Sequence, residues 1–225
     1  MPEPAPVAWP GWPYQVTRAA CYGFLRGVSG LRIRGQGYVP AHGPAVLMAN
    51  HESYFDPYLV SFVTWRPVQF MAKIELFSGF GGWLFPRLNT APVKRGQGDL
   101  GAFRNAWRHL SQGRLLGIFP EGTRSADGRL QAAQPGAVSI ALRAGVPIVP
   151  VAISGTFQLL PRQGGLRLVP VAVAAGQPLR LKQRAADAHR DKELLEHVGE
   201  QIMARIAELR AGLEQDFGTG APGRE

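Results

Sequence analysis

The sequence predicts an α/β fold, a single domain in which a mostly buried mixed sheet is flanked by helices. Three observations carry that expectation. Short apolar runs of strand length alternate along the chain with segments of helical period. Some of those runs, AVLMAN at 45–50 and PIVPVAI at 147–153 among them, are almost continuously apolar, as in strands covered on both faces. The chain of 225 residues, 45% hydrophobic, suits one full core and is short for a second large domain.

In chain order, Pro2, Pro4, Pro6, Pro10 and Pro13 each fix φ and remove a donor, so the opening is expected to be irregular. Residues 14–29 follow as a helix with Tyr14, Ala19, Cys21, Tyr22, Leu25 and Val28 on a loose apolar face. Within the resulting 1–29 segment, Trp9, Trp12 and Tyr14 with Arg18 and Arg26 suit a membrane headgroup region; packing on the protein's own core is the alternative. The main domain is expected over 30–217. LRIRG (31–35), the run at 45–49 and VQFMA (68–72) read as strands. Leu100, Phe103, Trp107 and Leu110 recur at helical spacing behind Asp99, a candidate cap. LLGIF (115–119) is a further strand, 136–144 a helix closed by Gly145, and 147–153 another strand. LRLVPVAVA (166–174) supplies one or two more. Leu195, Val198, Ile202, Ile206 and Leu209 mark a final amphipathic helix, and GTGAPGRE (218–225) is expected to be a disordered tail.

Charge and cysteine content narrow the partners. Lys and Arg number 25 against 16 Asp and Glu, a net charge of +9. Residues 1–114 hold 12 of the cations and 5 of the acids, so most of the excess lies in the N-terminal half. Phospholipid headgroups, phosphorylated ligands and nucleic acid all fit such a balance. The cations are scattered, without a recognition-helix or base-stacking pattern, which sets nucleic acid aside. Cys21 is the single cysteine, so no intramolecular disulfide and no CxxC metal site exist, in keeping with a reducing compartment or a membrane surface. No run approaches the roughly 18 apolar residues of a spanning helix, because Arg18, Arg26, Arg32 and Arg34 interrupt the one long candidate. The first thirteen residues also lack the pattern of a signal peptide. A peripheral place at the cytoplasmic face of the cell membrane is the expectation.

In α/β folds ligands gather at the carboxyl ends of strands, and two chemically equipped segments fall there, NHESYFD and FPEGTRS. His51 and Asp56 are five apart, about 140° around a continuous helix, and do not meet on one. In a turn leading into a helix, Asp56 takes the N-cap and Pro57 the first helical position, and His51 folds back onto Asp56. A carboxylate on Nδ1 then fixes the tautomer and leaves Nε2 to accept a proton. The plainer reading has Asp56 only as a cap. FPEGTRS packs an acid, a glycine, a hydroxyl and an arginine into Glu121, Gly122, Thr123 and Arg124. Gly122 permits close backbone approach to a ligand, and Arg124 offers a fork matched to phosphate oxygens, though an ordinary strand-to-helix turn has the same composition. His42, His109, His189 and His197 form no metal-ligand cluster, and no metal or cofactor is expected.

These segments, with KIEL (73–76), PVKR (92–95) and VPIVPVAI (146–153), come in an order that resembles the glycerolipid acyltransferase family. The resemblance runs from about residue 30 to 180 and implies a glycerolipid acyltransferase-like domain. It implies transfer of a fatty acyl group from acyl-CoA or acyl carrier protein, as co-substrate, to the free hydroxyl of lysophosphatidate or a related lysolipid at an anionic membrane surface. His51 matches the general base and Asp56 the carboxylate that orients it. Arg95, Lys73 and the Glu121, Gly122, Thr123 and Arg124 turn match the acceptor's phosphate site, and Pro147 and Pro150 a structural block. One base suffices for such chemistry, because a thiolate departs unaided, and no GxSxG nucleophile is present. LFSGFGGWLFPRL (76–88) is expected to line an acyl groove or to be core. Two departures bear on the acceptor: Ala133 and Gln134 stand where an aromatic and a lysine are common, and Asn89, Thr90 and Ala91 where a glycine and a larger aliphatic are common. Acylation of another polar lysolipid, such as an aminolipid, and non-catalytic binding of anionic lipid are the alternatives.

Overall fold

The computed structural model describes residues 10–93, 100–161, 165–179 and 191–219. Its elements are α1 (Trp12–Ser29), β1 (Arg32–Arg34), β2 (Ala45–Ala49), α2 (Asp56–Phe62), β3 (Val68–Lys73), α3 (Gly79–Arg87) and β4 (Thr90–Val93). There follow α4 (Leu100–Ser111), β5 (Leu115–Ile118), α5 (Pro135–Ala144), β6 (Ile148–Ser154), the single turn α6 (Thr156–Leu159), β7 (Ala172–Ala175) and α7 (Lys192–Phe217). The seven strands form one sheet in the order β1-β7-β6-β2-β5-β3-β4. The run from β6 to β4 is parallel, whereas β7 pairs with β6 antiparallel and β1 follows β7, so the sheet is mixed as expected.

Side-chain alternation divides the core between the two faces of the sheet. Leu47 and Ala49 of β2 with Val149, Val151 and Ile153 of β6 pack against Leu25 of α1 and Leu59 of α2. Val46 and Met48 with Ile148 and Ala152 pack against Val138 of α5 and Ile202 and Ile206 of α7. Every residue of β2, β5 and β6 is buried, which is why those runs carry almost no polar residue.

Several elements differ from the sequence expectation. Only 172–175 of the 166–174 segment and its surroundings pair, as β7, while 165–171 carries no strand. The strand β4 went unforeseen, because TAPV contains a proline; it sits at the sheet edge, where a missing donor is tolerated. Thr219, expected in a disordered tail, is buried, and its carbonyl accepts from Ser154 Oγ at 3.2 Å. Residues 220–225 and Asp99 lie outside the described residues.

The N-terminal helix packs in part on the protein's own core. Tyr14 is buried rather than displayed. Arg18 donates through Nη2 to the carbonyls of Ser61 and Thr64 at 3.1 and 3.0 Å, satisfying groups that the C-terminus of α2 leaves unpaired. Arg26 donates to the Leu31 carbonyl at 3.1 Å. Both cations therefore serve the fold. Trp12 is exposed, and Trp9 lies outside the described residues.

His109 of α4 is buried, with Nε2 donating to the Leu115 carbonyl at 3.0 Å. Burial, together with Arg114, pushes its imidazole down to about 4, against the opposing effect of that hydrogen bond. The unfolded chain therefore binds more protons than the folded one between about pH 4 and 6.5. The stability this residue contributes is full above that window and is lost as pH falls through it. We expect His109→Leu to flatten the loss of stability between pH 6.5 and 4, measured by denaturant unfolding; an unchanged acid limb would refute the assignment.

Candidate active site

Because β2 and β5 are parallel neighbours, their carboxyl ends deliver residues 50–56 and 119–125 side by side. Main-chain groups join the two turns. Ser125 N donates to the His51 carbonyl at 2.7 Å, and His51 N donates to Glu121 Oε1 at 2.8 Å. The Asn50 side chain imitates a peptide group and prolongs the sheet: its Oδ1 accepts from Ile153 N at 2.8 Å and its Nδ2 donates to Ile153 O at 2.9 Å.

His51 and Asp56 meet, with Nδ1 and Oδ2 2.8 Å apart. Asp56 is not the N-cap that the spacing suggested. It is the first residue of α2, and its carboxylate turns back to accept from Glu52 N at 2.5 Å and Ser53 N at 2.7 Å, while Oδ1 accepts from Thr156 Oγ1 at 2.9 Å. With two N–H groups already on it, Oδ2 serves as an acceptor, and the Nδ1 of His51 is the third donor. The remaining ring nitrogen, Nε2, is left on a side chain that is 20% exposed. The imidazole stacks on Phe119 at 4.0 Å and 15°, and Phe119 on Phe70 at 5.8 Å.

Two further carboxylates are buried beneath this pair. Glu121, expected on a phosphate, instead spans the motif, accepting from His51 N through Oε1 and from Gln131 N through Oε2 at 3.1 Å. Burial pushes it up to about 7 despite both donors. Both carboxylate oxygens are thus occupied by main-chain donors, and Glu121 braces the turn from within. Glu52 is likewise pushed up to about 7 by burial, with Arg210 opposing and Asp56 adding to the rise. Its Oε1 lies 2.9 Å from Arg210 Nη1 and accepts from Asn50 Nδ2 at 3.1 Å.

The other residues singled out in the sequence lie around this centre. Gly122 holds φ at 73°, the left-handed conformation that glycine adopts without penalty, and Thr123 beside it is exposed. Arg124 lies over the Tyr54 ring at 3.8 Å and donates to its hydroxyl at 3.0 Å. Lys73 ends β3 and is exposed; Arg95 lies outside the described residues. Pro147 precedes β6 and accepts through its carbonyl from Val46 N. Pro150 turns its backbone toward the β7 side just beyond the ladder that starts at Val151 and Ala175, so its missing N–H breaks no ladder bond, and its carbonyl accepts from Gly176 N at 2.8 Å. Ala133 packs close to Gly199 of α7, and Gln134 N donates to the Pro120 carbonyl at 2.8 Å.

Residues 76–88 are not part of the buried core. They form part of a 3₁₀ turn and α3, none of whose residues is buried. A cleft of about 600 Å³ lies elsewhere, between the end of β7 and the C-terminal half of α7; Pro150 is its one motif residue. Sequence reading passed over Asn50, Glu52, Phe119, Thr156 and Arg210. The first three stand inside or beside the quoted motifs, and Arg210 was signalled by a charge four residues after Ile206 on the apolar stripe of α7.

Gly117 of β5 underlies the ring stack. A Cβ there would meet Phe70 Cε1 at 2.2 Å, so a methyl group displaces Phe70, and with it Phe119 and the imidazole. We expect Gly117→Ala to cost about 1–3 kcal/mol in denaturant unfolding and to shift the His51 ring resonances in NMR spectra. A variant of unchanged stability with an unmoved His51 signal would show that the stack adapts freely.

Comparison with known proteins agrees with this geometry. The model of the Acyltransferase family matches residues 30–154. The chain is 32% identical over 121 residues to the chloroplastic 1-acyl-sn-glycerol-3-phosphate acyltransferase LPAT1 of Arabidopsis thaliana, a match that covers 52% of this chain and 34% of that one. It thus spans about a third of the length of the first curated relatives it matches. It is 29% identical over 196 residues to the 1-acyl-sn-glycerol-3-phosphate acyltransferase of Bacillus subtilis (strain 168), covering 85% of this chain and 92% of that one. The crystal structure of the 1-acyl-sn-glycerophosphate acyltransferase PlsC from Thermotoga maritima superposes with a TM-score of 0.69 and 28% identity, covering 87% and 79% of the two chains. Since the family model takes in more than half of the residues and both motif turns, this chain belongs to the Acyltransferase family.

Proposed function

We propose that the chain is a 1-acylglycerol-3-phosphate O-acyltransferase. It moves a fatty acyl group from acyl-CoA or acyl carrier protein to the free sn-2 hydroxyl of 1-acylglycerol-3-phosphate, giving phosphatidate. The observation that carries this reading is the 2.8 Å pairing of His51 Nδ1 with Asp56 in a chain of this family. Asp56 holds the Nδ1–H tautomer, so the Nε2 lone pair accepts the acceptor's hydroxyl proton as its oxygen attacks the thioester carbonyl. The C–S bond then breaks, and the departing thiolate takes the proton from Nε2. Attack is direct: the one cysteine, Cys21, lies in α1 and burial pushes its thiol up to about 12, far from a usable thiolate. Arg124, Lys73 and Arg95 supply the cations for the acceptor's phosphate. No metal or cofactor enters the step.

Both the acceptor and the product carry acyl chains, and withdrawing one into water costs about 0.8 kcal/mol per CH₂. The enzyme therefore works docked at the cytoplasmic membrane face. No described helix is long and apolar enough to cross a bilayer. Ile74, Leu76, Phe80 and Trp83 are exposed on and before α3, with the Arg87 guanidinium 4.5 Å over the Trp83 ring, an arrangement suited to the headgroup region.

Two measurements test this reading. Thiol release from acyl-CoA should require lysophosphatidate, and His51→Ala should reduce it by about 10²- to 10⁴-fold; equal rates with phosphate-free lysolipids would replace the phosphatidate assignment by that of another polar lipid. In sedimentation with anionic vesicles at low salt, the wild type should pellet and a Phe80→Ala/Trp83→Ala variant should remain largely in the supernatant. Equal pelleting of the two would move the docking surface to Trp12 and the N-terminal segment.

A further inference from the structure

Arg210 sits where an amphipathic helix ordinarily carries an apolar residue. On α7, Ile202, Ile206 and Leu213 are buried against the sheet, and Arg210, four residues beyond Ile206 and three before Leu213, falls on the same stripe. Its side chain is 14% exposed. Leaving a guanidinium there is costly unless each of its edges meets an acceptor. Nη1 lies 2.9 Å from Glu52 Oε1 and donates to the Gly128 carbonyl at 2.9 Å, while Nε donates to Glu214 Oε1 at 2.7 Å.

The first of those partners belongs to the turn after β2, and the second to the loop that continues the turn after β5. Glu52 follows His51 in the chain, and its backbone N–H is one of the donors on Asp56 Oδ2. Gly128 lies three residues after Ser125, whose N–H holds the His51 carbonyl. One side chain from the C-terminal helix thus ties the turn after β2 to the loop that continues the turn after β5. It also provides positive charge to a region where Glu52, Asp56 and Glu121 are each no more than 3% exposed.

We propose that Arg210 is a positioning residue for the His51–Asp56 pair: by clamping Glu52 and the Gly128 carbonyl it fixes the main-chain donors that aim Asp56, and so sets the imidazole. The inference rests on the acyl-transfer reading for its kinetic consequences and on the contacts alone for its structural ones. Around Glu52 stand His51 and Asp56 from its own turn and α2, Glu121 from the turn after β5, and Arg210 and Glu214 from α7. With Arg210 removed, Glu52 stays protonated at low pH and is tolerated there; as pH rises it ionises beside Asp56 without a counter-charge, and the turn is pushed open. The defect of an Arg210 variant therefore grows with pH.

The experiment compares wild type, Arg210→Met, Arg210→Lys and the doubly neutral Glu52→Gln/Arg210→Met between pH 6 and 8. For Arg210→Met we expect kcat for thiol release to fall about 10- to 100-fold, with the acyl-CoA KM within about twofold of wild type. Its deficit relative to wild type should be larger at pH 8 than at pH 6. Arg210→Lys, which keeps the charge and loses the fork, should fall between, and serves if Arg210→Met does not fold. The double variant should regain most of the lost kcat and show a pH-independent deficit. Carbethoxylation of His51 by diethyl pyrocarbonate, followed by peptide mass, should slow in Arg210→Met and recover in the double variant. Wild-type kcat in Arg210→Met, or a double variant no better than Arg210→Met, would overturn the proposal. A wild type that releases no thiol with any lysolipid would overturn the acyl-transfer reading instead, and the His51 modification rates would still decide the role of Arg210.

Discussion

The site is organised by one buried carboxylate. Asp56 has no exposed surface and yet accepts from four donors: the His51 ring, the Glu52 and Ser53 amides, and the Thr156 hydroxyl. A buried charge is stable only when its acceptor sites are filled, and here the donors come from two separate stretches of chain. Satisfying Asp56 therefore closes the turn after β2, seats the start of α2 and ties α6 to both. The imidazole is held as one member of that set, so its orientation follows from the cost of leaving Asp56 unpaired. Gly155 makes the contact with α6 possible: it holds φ at 90° immediately before Thr156, and a Cβ there would lie 2.1 Å from the Pro170 carbonyl oxygen.

Charge in this protein is sorted by depth. Three acids, Glu52, Asp56 and Glu121, are buried under the turns, where main-chain amides and Arg210 offset them. Much of the cationic excess lies on the outside, and some of it is structural, as with Arg18 on the end of α2. The acid of the FPEGTRS motif supports the turn from within, whereas Arg124 lies over the Tyr54 ring and Lys73 is exposed at the end of β3. Apolar surface is sorted in a similar way. The strands β2, β5, β6 and β7 are fully covered, and α3, which buries none of its residues, carries Phe80 and Trp83 outward. An apolar helix on the surface is costly in water, and it is consistent with the lipid-facing role proposed for it.

Much of the fold was legible because burial leaves a one-dimensional trace. The apolar runs at 45–49, 115–119 and 147–153 became the three central strands β2, β5 and β6, and the Leu195 to Leu209 stripe became the buried side of α7. The strand β4 was hidden, because an edge strand needs neither continuous apolar character nor a full set of donors. The pairing of His51 with Asp56 was also legible, from residue types that fit a strand-to-helix turn. The cap geometry was not: an N-cap and a first helical residue differ in whether the backbone has already entered helical φ and ψ, which the residue type alone does not settle.

The sequence by itself determined the α/β class, the two motif turns and the family to which they belong, since each depends on residues close together in the chain. The tertiary structure alone decided what Glu121, Glu52 and Arg210 do. A glutamate in an FPEGTRS turn reads equally well as a ligand for phosphate or as a brace; only the neighbouring strand's register brings the His51 amide to its carboxylate. Glu52 and Arg210 are 158 residues apart, and nothing local to either predicts the other. Their meeting follows from α7 packing across the sheet beneath the same strand ends, a long-range arrangement set by the whole hydrophobic core.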